Sequence, residues 1–431
     1  MADEPLTSPK ISKNSVPDLE TKWIILLAGL SGILYFQSNP SPGHYYDYTF
    51  RVAANLLRGS VGFTSQQPSW LNEFVPLEGY YYSVFPLGSV LTMIPTAGLN
   101  VLGLIKNMPS PWLAAICAAV SCIFMLLIAR HYAVSRVRAI LMTFGILFGT
   151  FAWTNLTMGG AWQLALGFAM VGGLGSIYFA VCDRRPFLAG IFFALAFGNR
   201  TEILLTAPIL IYFLIRPIEE RFQNGRFEFA TNISVSVGFT DLIKLKWKSI
   251  AAFCSIPFLL GVSTLIYNFV RFDSFTDFGY SRIPGVLQEP WYRYGIFSVW
   301  YIPGQVWEMF FKPWEYKSLF PYLRPNGFSS SILLSSPFII YAVRFGTRDR
   351  VLKYLAWLAI LAMCFILWMH GNSGGWQFGY RYAMVCLPWL FVILLESSPK
   401  KISPLEWAAY GFSFLANLYA TWLFHWTSYM K

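Results

Sequence analysis

Residues 38–59 read SNPSPGHYYDYTFRVAANLLRG, residues 60–79 SVGFTSQQPSWLNEFVPLEG, and residues 80–86 YYYSVFP. The stretch leaves a first hydrophobic segment and ends where apolar sequence resumes. It gathers one aspartate, two glutamates, two arginines, one histidine and six tyrosines in a chain that is otherwise mostly oil-like. Polar groups pressed against a membrane need a partner or a task, and chemistry on a lipid-borne substrate is a common task. Tyr48, Val52 and Leu56 recur at helical spacing, so HYYDYTFRVAANLLRG predicts a short amphipathic helix lying in the interface. Asp47, near its start, fits two roles equally well at this level: a partner of the helix dipole, or a reactive carboxylate.

Outward from that stretch, the composition bounds the class. Of 431 residues, 56% are hydrophobic and 12% charged. Runs of roughly 18 or more nearly charge-free residues recur, the signature of a polytopic helical membrane protein. The short alternating segments of a transmembrane barrel do not occur. A net charge of +11 would suit nucleic acid, but the basic residues sit in short connections between apolar runs, as the positive-inside rule expects. Nucleic acid is therefore not an expected partner. Residues 1–21 are polar, with Pro5, Pro9 and Pro17, and read as a disordered cytoplasmic tail rather than a cleavable signal. The six cysteines mostly fall inside apolar runs and show neither metal spacing nor a disulfide framework. The histidines at 44, 131, 370 and 425 lie far apart, so no cofactor is indicated and a role for a divalent metal ion stays open.

Taken in order, the chain predicts a first span over 22–38 and an outer loop over 39–110 with juxtamembrane or re-entrant helices. Spans two to seven fall within 111–270, interrupted by a cytoplasmic loop at 216–248; a second outer loop covers 271–330, and spans eight to eleven lie within 331–431. Five basic connections, RHYAVSRVR (130–138), CDRRP (182–186), 216–248, RFGTRDRVLK (344–353) and ESSPKK (396–401), belong on one face. The opposite face then receives WTNLTMGGAW (153–162), GNRTE (198–202), 271–330 and HGNSGGWQFGYRY (370–382). That sorting holds only if the apolar run 84–105, broken by Pro86 and Pro95, does not cross. The expected fold is thus all-α and polytopic, with about eleven transmembrane helices, the amino terminus inside and the carboxyl terminus outside.

Every outward connection carries residues that are costly at membrane depth. GNRTE places Arg200 beside Glu202, which either pair with each other or leave the guanidinium to clamp a phosphate. HGNSGGWQFGYRY supplies Trp376, Tyr380, Arg381 and Tyr382 just before a span; an interfacial aromatic belt accounts for the rings but not for the arginine. YNFVRFDSFTDFGYSRIPG (267–285) adds Asp273, Asp277, Tyr280 and Arg282.

In their order and common sidedness these motifs resemble the GT-C superfamily of membrane glycosyltransferases, which use polyprenyl-phosphate-linked sugars. The likeness is closest to the branch of protein O-mannosyltransferases and lipid A aminoarabinose transferases, and it covers roughly residues 20–395. It rests on the acidic residue of the first outer loop, YYSVFP (81–86), NRTEILLTAP (199–208), YNFVRFDSFTDFGY and FGYRYAMVCLPWL (378–390). The resemblance implies inverting transfer from a polyprenyl-phosphate sugar to a glycan, lipid or protein acceptor on the outer face of a bacterial cytoplasmic membrane. It also implies Asp47 as general base and a substrate site drawn from His44, Tyr48, Arg51, Glu73, Glu78, Tyr81, Tyr82, Glu202, Arg282, Trp376, Tyr380 and Tyr382. Two departures matter. Asp47 stands without the second acid common in relatives, and Ser83-Val84-Phe85-Pro86 lacks their basic residue, which leaves Arg200 and Arg381 as candidates for the donor phosphate. The rival readings are a transporter or flippase for a lipid-linked saccharide, or a polymerase or ligase of such lipids. A transporter would want a polar path through the bilayer midplane, which is nearly charge-free here.

Overall fold

A computed structural model describes residues 19–40, 46–216, 219–223, 226–230 and 239–430. Most of the expected 1–21 tail, His44 and parts of the 216–248 connection lie outside these residues. The described chain is mostly helical, as an all-α membrane protein requires. It runs through α1 (Thr21–Gln37), α2 (Tyr48–Leu57), α3 (Leu87–Thr92), α4 (Ile94–Val101) and α5 (Ser110–His131). Next come α6 (Arg136–Phe148), α7 (Ala152–Met158), α8 (Ala161–Ile177, prolonged by a wider turn to Cys182), α9 (Pro186–Asn199) and α10 (Ala207–Ile215). The last third holds α11 (Phe239–Phe272), α12 (Ile302–Phe310), α13 (Ile332–Ser335), α14 (Arg350–Met369), α15 (Leu387–Glu396) and α16 (Pro404–Trp426).

Among the described residues four helices are long and apolar enough to cross a membrane: Ser110–His131, Ala161–Cys182, Lys246–Phe272 and Arg350–Met369. A fifth results if α6 and α7, bent by 50°, count as one span. Several other segments read as spans are composite. Thr201–Thr206 is a 3₁₀ turn that leads into α10, Arg381–Cys386 leads likewise into α15, and Pro337–Val343 is wholly 3₁₀. At about 2.0 Å rise per residue such turns stretch a short apolar run further than an α-helix would. Residues 84–105 do not form one helix: α3 and α4 meet at Met93, with Pro95 in the first turn of α4. Two features were not legible in the apolar pattern. Phe74–Leu77 (β1) and Tyr80–Ser83 (β2) pair antiparallel, closed by Glu78 and Gly79 at φ 50° and 82°, the left-handed pair that a tight hairpin needs. A second hairpin joins Glu219–Gln223 to Arg226–Ala230.

Close approach of small residues holds the first outer loop against the bundle. A Cβ on Gly88 in α3 would lie 2.4 Å from the backbone of Gly198 in α9, the kind of contact on which helix packing in lipid depends. Gly88→Ala is therefore expected to separate α3 from α9 and lower the thermal midpoint in detergent, since overpacking costs typically about 1–3 kcal/mol. Gly103→Ala, where nothing lies within 4 Å but φ is 76°, reports backbone strain alone and serves as the comparison.

Residues of the five basic connections, Arg216 alone from 216–248, meet at one end. Glu406 accepts from Arg138 at 2.7 Å and from Arg344 at 3.1 Å, fully buried with Arg138. Asp349 pairs with Arg216 at 2.7 Å, and Glu396 accepts the backbone N–H groups of Arg348 and Asp349, each at 2.8 Å. Arg348 donates to the Tyr132 carbonyl, and Arg184 donates to the carbonyls of Phe213, Leu214 and Arg216. Buried pairs of this kind add little net stability but are costly to break on one side. Connections far apart in sequence are thereby fastened to each other. The connections expected on the opposite face gather at the far end of α5, some 33 Å away by helical rise.

Candidate functional site

At that far end lies a cavity of about 1070 Å³. Its wall is assembled from all the outward connections: Glu73, Trp162, Arg200, Glu202, Tyr280, Glu289, Trp291, His370, Trp376, Arg381 and Tyr382 among others. Arg200 and Arg381, 181 positions apart, lie on the same tyrosine. Their guanidinium carbons sit 4.8 and 5.3 Å from the Tyr382 ring centre, a favourable cation–π arrangement. They differ in what else they touch. Arg200 is neutralised by Glu202 at 2.9 Å. Arg381 is 5% exposed and donates Nη1 to the Gly375 carbonyl at 2.7 Å, while its buried Nε has no acceptor. Among the described residues no carboxylate pairs with it. A buried guanidinium donor without an acceptor is uncommon, and an anion is a partner that suits it chemically.

Glu73 reaches the wall from the turn before β1. Its carboxylate accepts from Trp162 Nε1 at 2.9 Å, and Trp162 in turn packs under Arg381. Burial pushes the Glu73 carboxyl up to about 7; the Trp162 hydrogen bond and Arg381 oppose that rise and Glu289 reinforces it. A carboxyl that titrates near neutrality is suited to exchange protons.

Asp47 is placed differently. It precedes α2 without capping it, is 7% exposed, and its Oδ1 lies 2.6 Å from Arg51 Nε. It does not line the cavity, although its neighbour Tyr46 does. Of the other expected site residues, Glu73, Arg200, Glu202, Trp376, Arg381 and Tyr382 come together on the wall. Tyr48, Arg51, Glu78, Tyr81, Tyr82, Arg282 and Tyr380 do not. Tyr48 is a core residue behind it, its ring against Phe74, Phe85 and Trp162 and its hydroxyl on Asn72. Glu78 is spent on the hairpin turn, Tyr81 and Tyr82 on β2, and Arg282 on an ion pair with Asp277 at 2.6 Å. Tyr380 is buried on Gln305. Not singled out from sequence were Trp162, Tyr292, Glu289 and His370. Trp162 closes the outward segment WTNLTMGGAW and His370 opens HGNSGGW, so position at the end of an outward connection was the signal available.

Three buried amides hold the loop that carries Arg381. Asn155 both donates to the Phe378 carbonyl at 2.7 Å and accepts its N–H at 3.1 Å. Gln305 bridges the Gly371 carbonyl and the Tyr380 hydroxyl. Gln377 accepts the N–H of Arg381 at 2.8 Å and donates to the carbonyls of Phe328, Ser373 and Gly374. Between them Trp376 is held at φ 41°, a conformation a bulky residue adopts only under constraint. Among the described residues no three His, Cys, Asp or Glu are grouped so as to hold a metal ion. Comparison with protein-family models, with curated proteins and with solved structures finds no match for this chain, so its chemistry is inferred from the cavity itself.

Proposed function

We propose that the chain is an integral-membrane glycosyltransferase of the GT-C kind, moving a sugar from a polyprenyl-phosphate donor to an acceptor hydroxyl at the outer face. The observation that carries this reading is the pairing, in one cavity, of a buried arginine without a carboxylate partner and a carboxyl that titrates near neutrality. Arg381 binds the donor phosphate, with Arg200 and the Tyr382 ring beside it. The acceptor oxygen attacks the anomeric carbon from the face opposite the phosphate. The new C–O bond forms as the bond to the phosphate oxygen breaks, its electron pair leaves with the polyprenyl phosphate, and the hydroxyl proton goes to Glu73. One displacement inverts the anomeric centre. The charge that develops on the phosphate is met by guanidinium groups already in place. The geometry favours Glu73 over Asp47 as base, because Asp47 is tied to Arg51 off the cavity wall.

The membrane topology belongs to the same proposal. Eleven segments run between the basic end and the cavity end, short composite ones included, and 84–105 stays at the cavity end. Positive-inside sorting then puts the cavity outside, in a bacterial cytoplasmic membrane. A cysteine at Gly374 is expected to label from outside in intact cells, and one at Arg348 only after permeabilisation. The reverse pattern, or equal labelling, overturns both the orientation and the outward site.

A further inference from the structure

Beside the arginines, His370 closes a hydrogen-bonded chain that reaches the cavity. Its Nδ1 is 2.7 Å from the Asn372 carbonyl oxygen. A carbonyl only accepts, so Nδ1 carries the ring proton and Nε2 of the neutral ring is left with a lone pair. Nε2 lies 3.4 Å from the Tyr292 hydroxyl, which is 3.0 Å from the Tyr280 hydroxyl. Tyr292 is buried, whereas Tyr280 and His370 line the cavity. With His370 neutral the polarity of this chain is determined: Tyr292 donates to Nε2, Tyr280 donates to Tyr292, and the Tyr280 oxygen offers the cavity only lone pairs. One proton added at Nε2 reverses every link. His370 then donates to Tyr292, Tyr292 to Tyr280, and Tyr280 to whatever occupies the cavity.

We infer that Tyr280, Tyr292 and His370 form a relay that takes one proton from solvent when an anionic phosphate enters the cavity, turning the Tyr280 hydroxyl into a donor to that phosphate. The inference rests on the reading of the cavity as a phosphate site and adds residues that Asp47, Glu73 and the arginines do not include. The groups facing His370 set its sign. Phe297, Tyr280 and Tyr292 surround the ring from the second outer loop, Tyr382 from the segment after it, and Arg200, Glu202 and Arg381 act through space. Glu73 faces the two tyrosines. Burial holds His370 below the usual histidine range; Arg200 and Arg381 push it further down, and the Asn372 carbonyl and Glu202 act against them. An anion between the arginines and the relay offsets their push and attracts the imidazolium directly, so His370 takes up a proton more readily in the complex than in the free chain. Phosphate affinity then strengthens as pH falls through the value His370 has in the complex. During transfer the charged relay stands ready to hydrogen-bond the leaving phosphate, whose negative charge rises as the sugar departs.

The test is calorimetric titration of the detergent-solubilised full chain with a farnesyl methyl phosphodiester at pH 6 and at pH 8, each in two buffers of different ionisation enthalpy. A diester is used because a phosphate monoester itself titrates with a second pKa of about 6. Net proton uptake is expected on binding, larger at pH 6 than at pH 8. His370→Gln should lower the uptake to what Glu73 alone contributes, and Glu73→Gln should leave the His370 share in place. Tyr280→Phe keeps the ring and removes only the cavity end of the relay; it should bind about tenfold or more weakly, since a hydrogen bond to a charged group is worth about 1.5–3 kcal/mol. Binding without proton uptake, or unchanged uptake in His370→Gln, overturns the relay and leaves the phosphate site standing. Absence of binding by the unmodified chain overturns the phosphate site and the relay with it.

Discussion

Glu73→Gln is expected to lower single-turnover transfer from a defined polyprenyl-phosphate sugar by about two to four decades, the usual worth of a positioned general base. Glutamine keeps the shape of the side chain and an oxygen to accept from Trp162 Nε1, so donor binding should survive. What it loses is the ability to take a proton at neutral pH. The pH profile provides a second readout. Because burial raises the Glu73 carboxyl to about 7, it is protonated and inactive as a base below that value and becomes active above it. Transfer by the unmodified chain should rise through pH 7, and the residual rate of the glutamine variant should lack that limb. Asp47→Asn and Glu78→Gln are the comparisons. Asp47 is held by Arg51 and Glu78 sits at the hairpin turn, so both should stay within about tenfold of normal. An inactive Asp47→Asn beside a normal Glu73→Gln would return the base to Asp47, the position that the GT-C resemblance implies. Normal turnover in all three variants removes the mechanism.

Arg381→Lys is expected to weaken donor binding by about ten- to a hundredfold, measured with the prenyl-phosphate sugar in detergent. Lysine keeps the positive charge but not the planar fork, and each lost hydrogen bond to a charged group is worth about 1.5–3 kcal/mol. Arg200→Lys should cost less, because Arg200 already spends its fork on Glu202 at 2.9 Å, whereas Arg381 Nε is buried without an acceptor. The reverse order of effects would exchange the two roles. Normal binding in both lysine variants would make the arginines structural, with Tyr382 merely sandwiched between them.

Much of the layout was legible before any tertiary contact was known. The helix after Asp47 announced itself through Tyr48, Val52 and Leu56, since helical period survives in the sequence wherever one face is buried. Loop charge argued against one crossing helix over 84–105, and the run is indeed two short helices that meet at Met93, with Pro95 in the second. The β1–β2 hairpin was harder, because YYYSVFP reads as generic interfacial aromatic sequence and only the Glu78-Gly79 turn hints at strands. Eight of the fourteen expected site residues that the structure describes failed to reach the cavity, several for a similar reason. Tyr48, Tyr81 and Tyr380 have the right chemistry for binding, but a tyrosine serves a core as readily as a site.

The amino-acid sequence by itself determined the class, the sorting of connections into two ends, and the identity of the charged residues at the cavity end. Those properties are additive along the chain: apolar runs must be buried, and basic loops stay on one side. Only the tertiary structure decided which charges are satisfied by their neighbours and which face the cavity. Asp47 finds Arg51 four residues away and Arg200 finds Glu202 two away, while Arg381, Glu73 and His370 meet across some 300 positions of chain. Whether a buried charge is quiet or reactive depends on its partners in space, because desolvation and Coulomb attraction act over a few ångströms regardless of sequence distance.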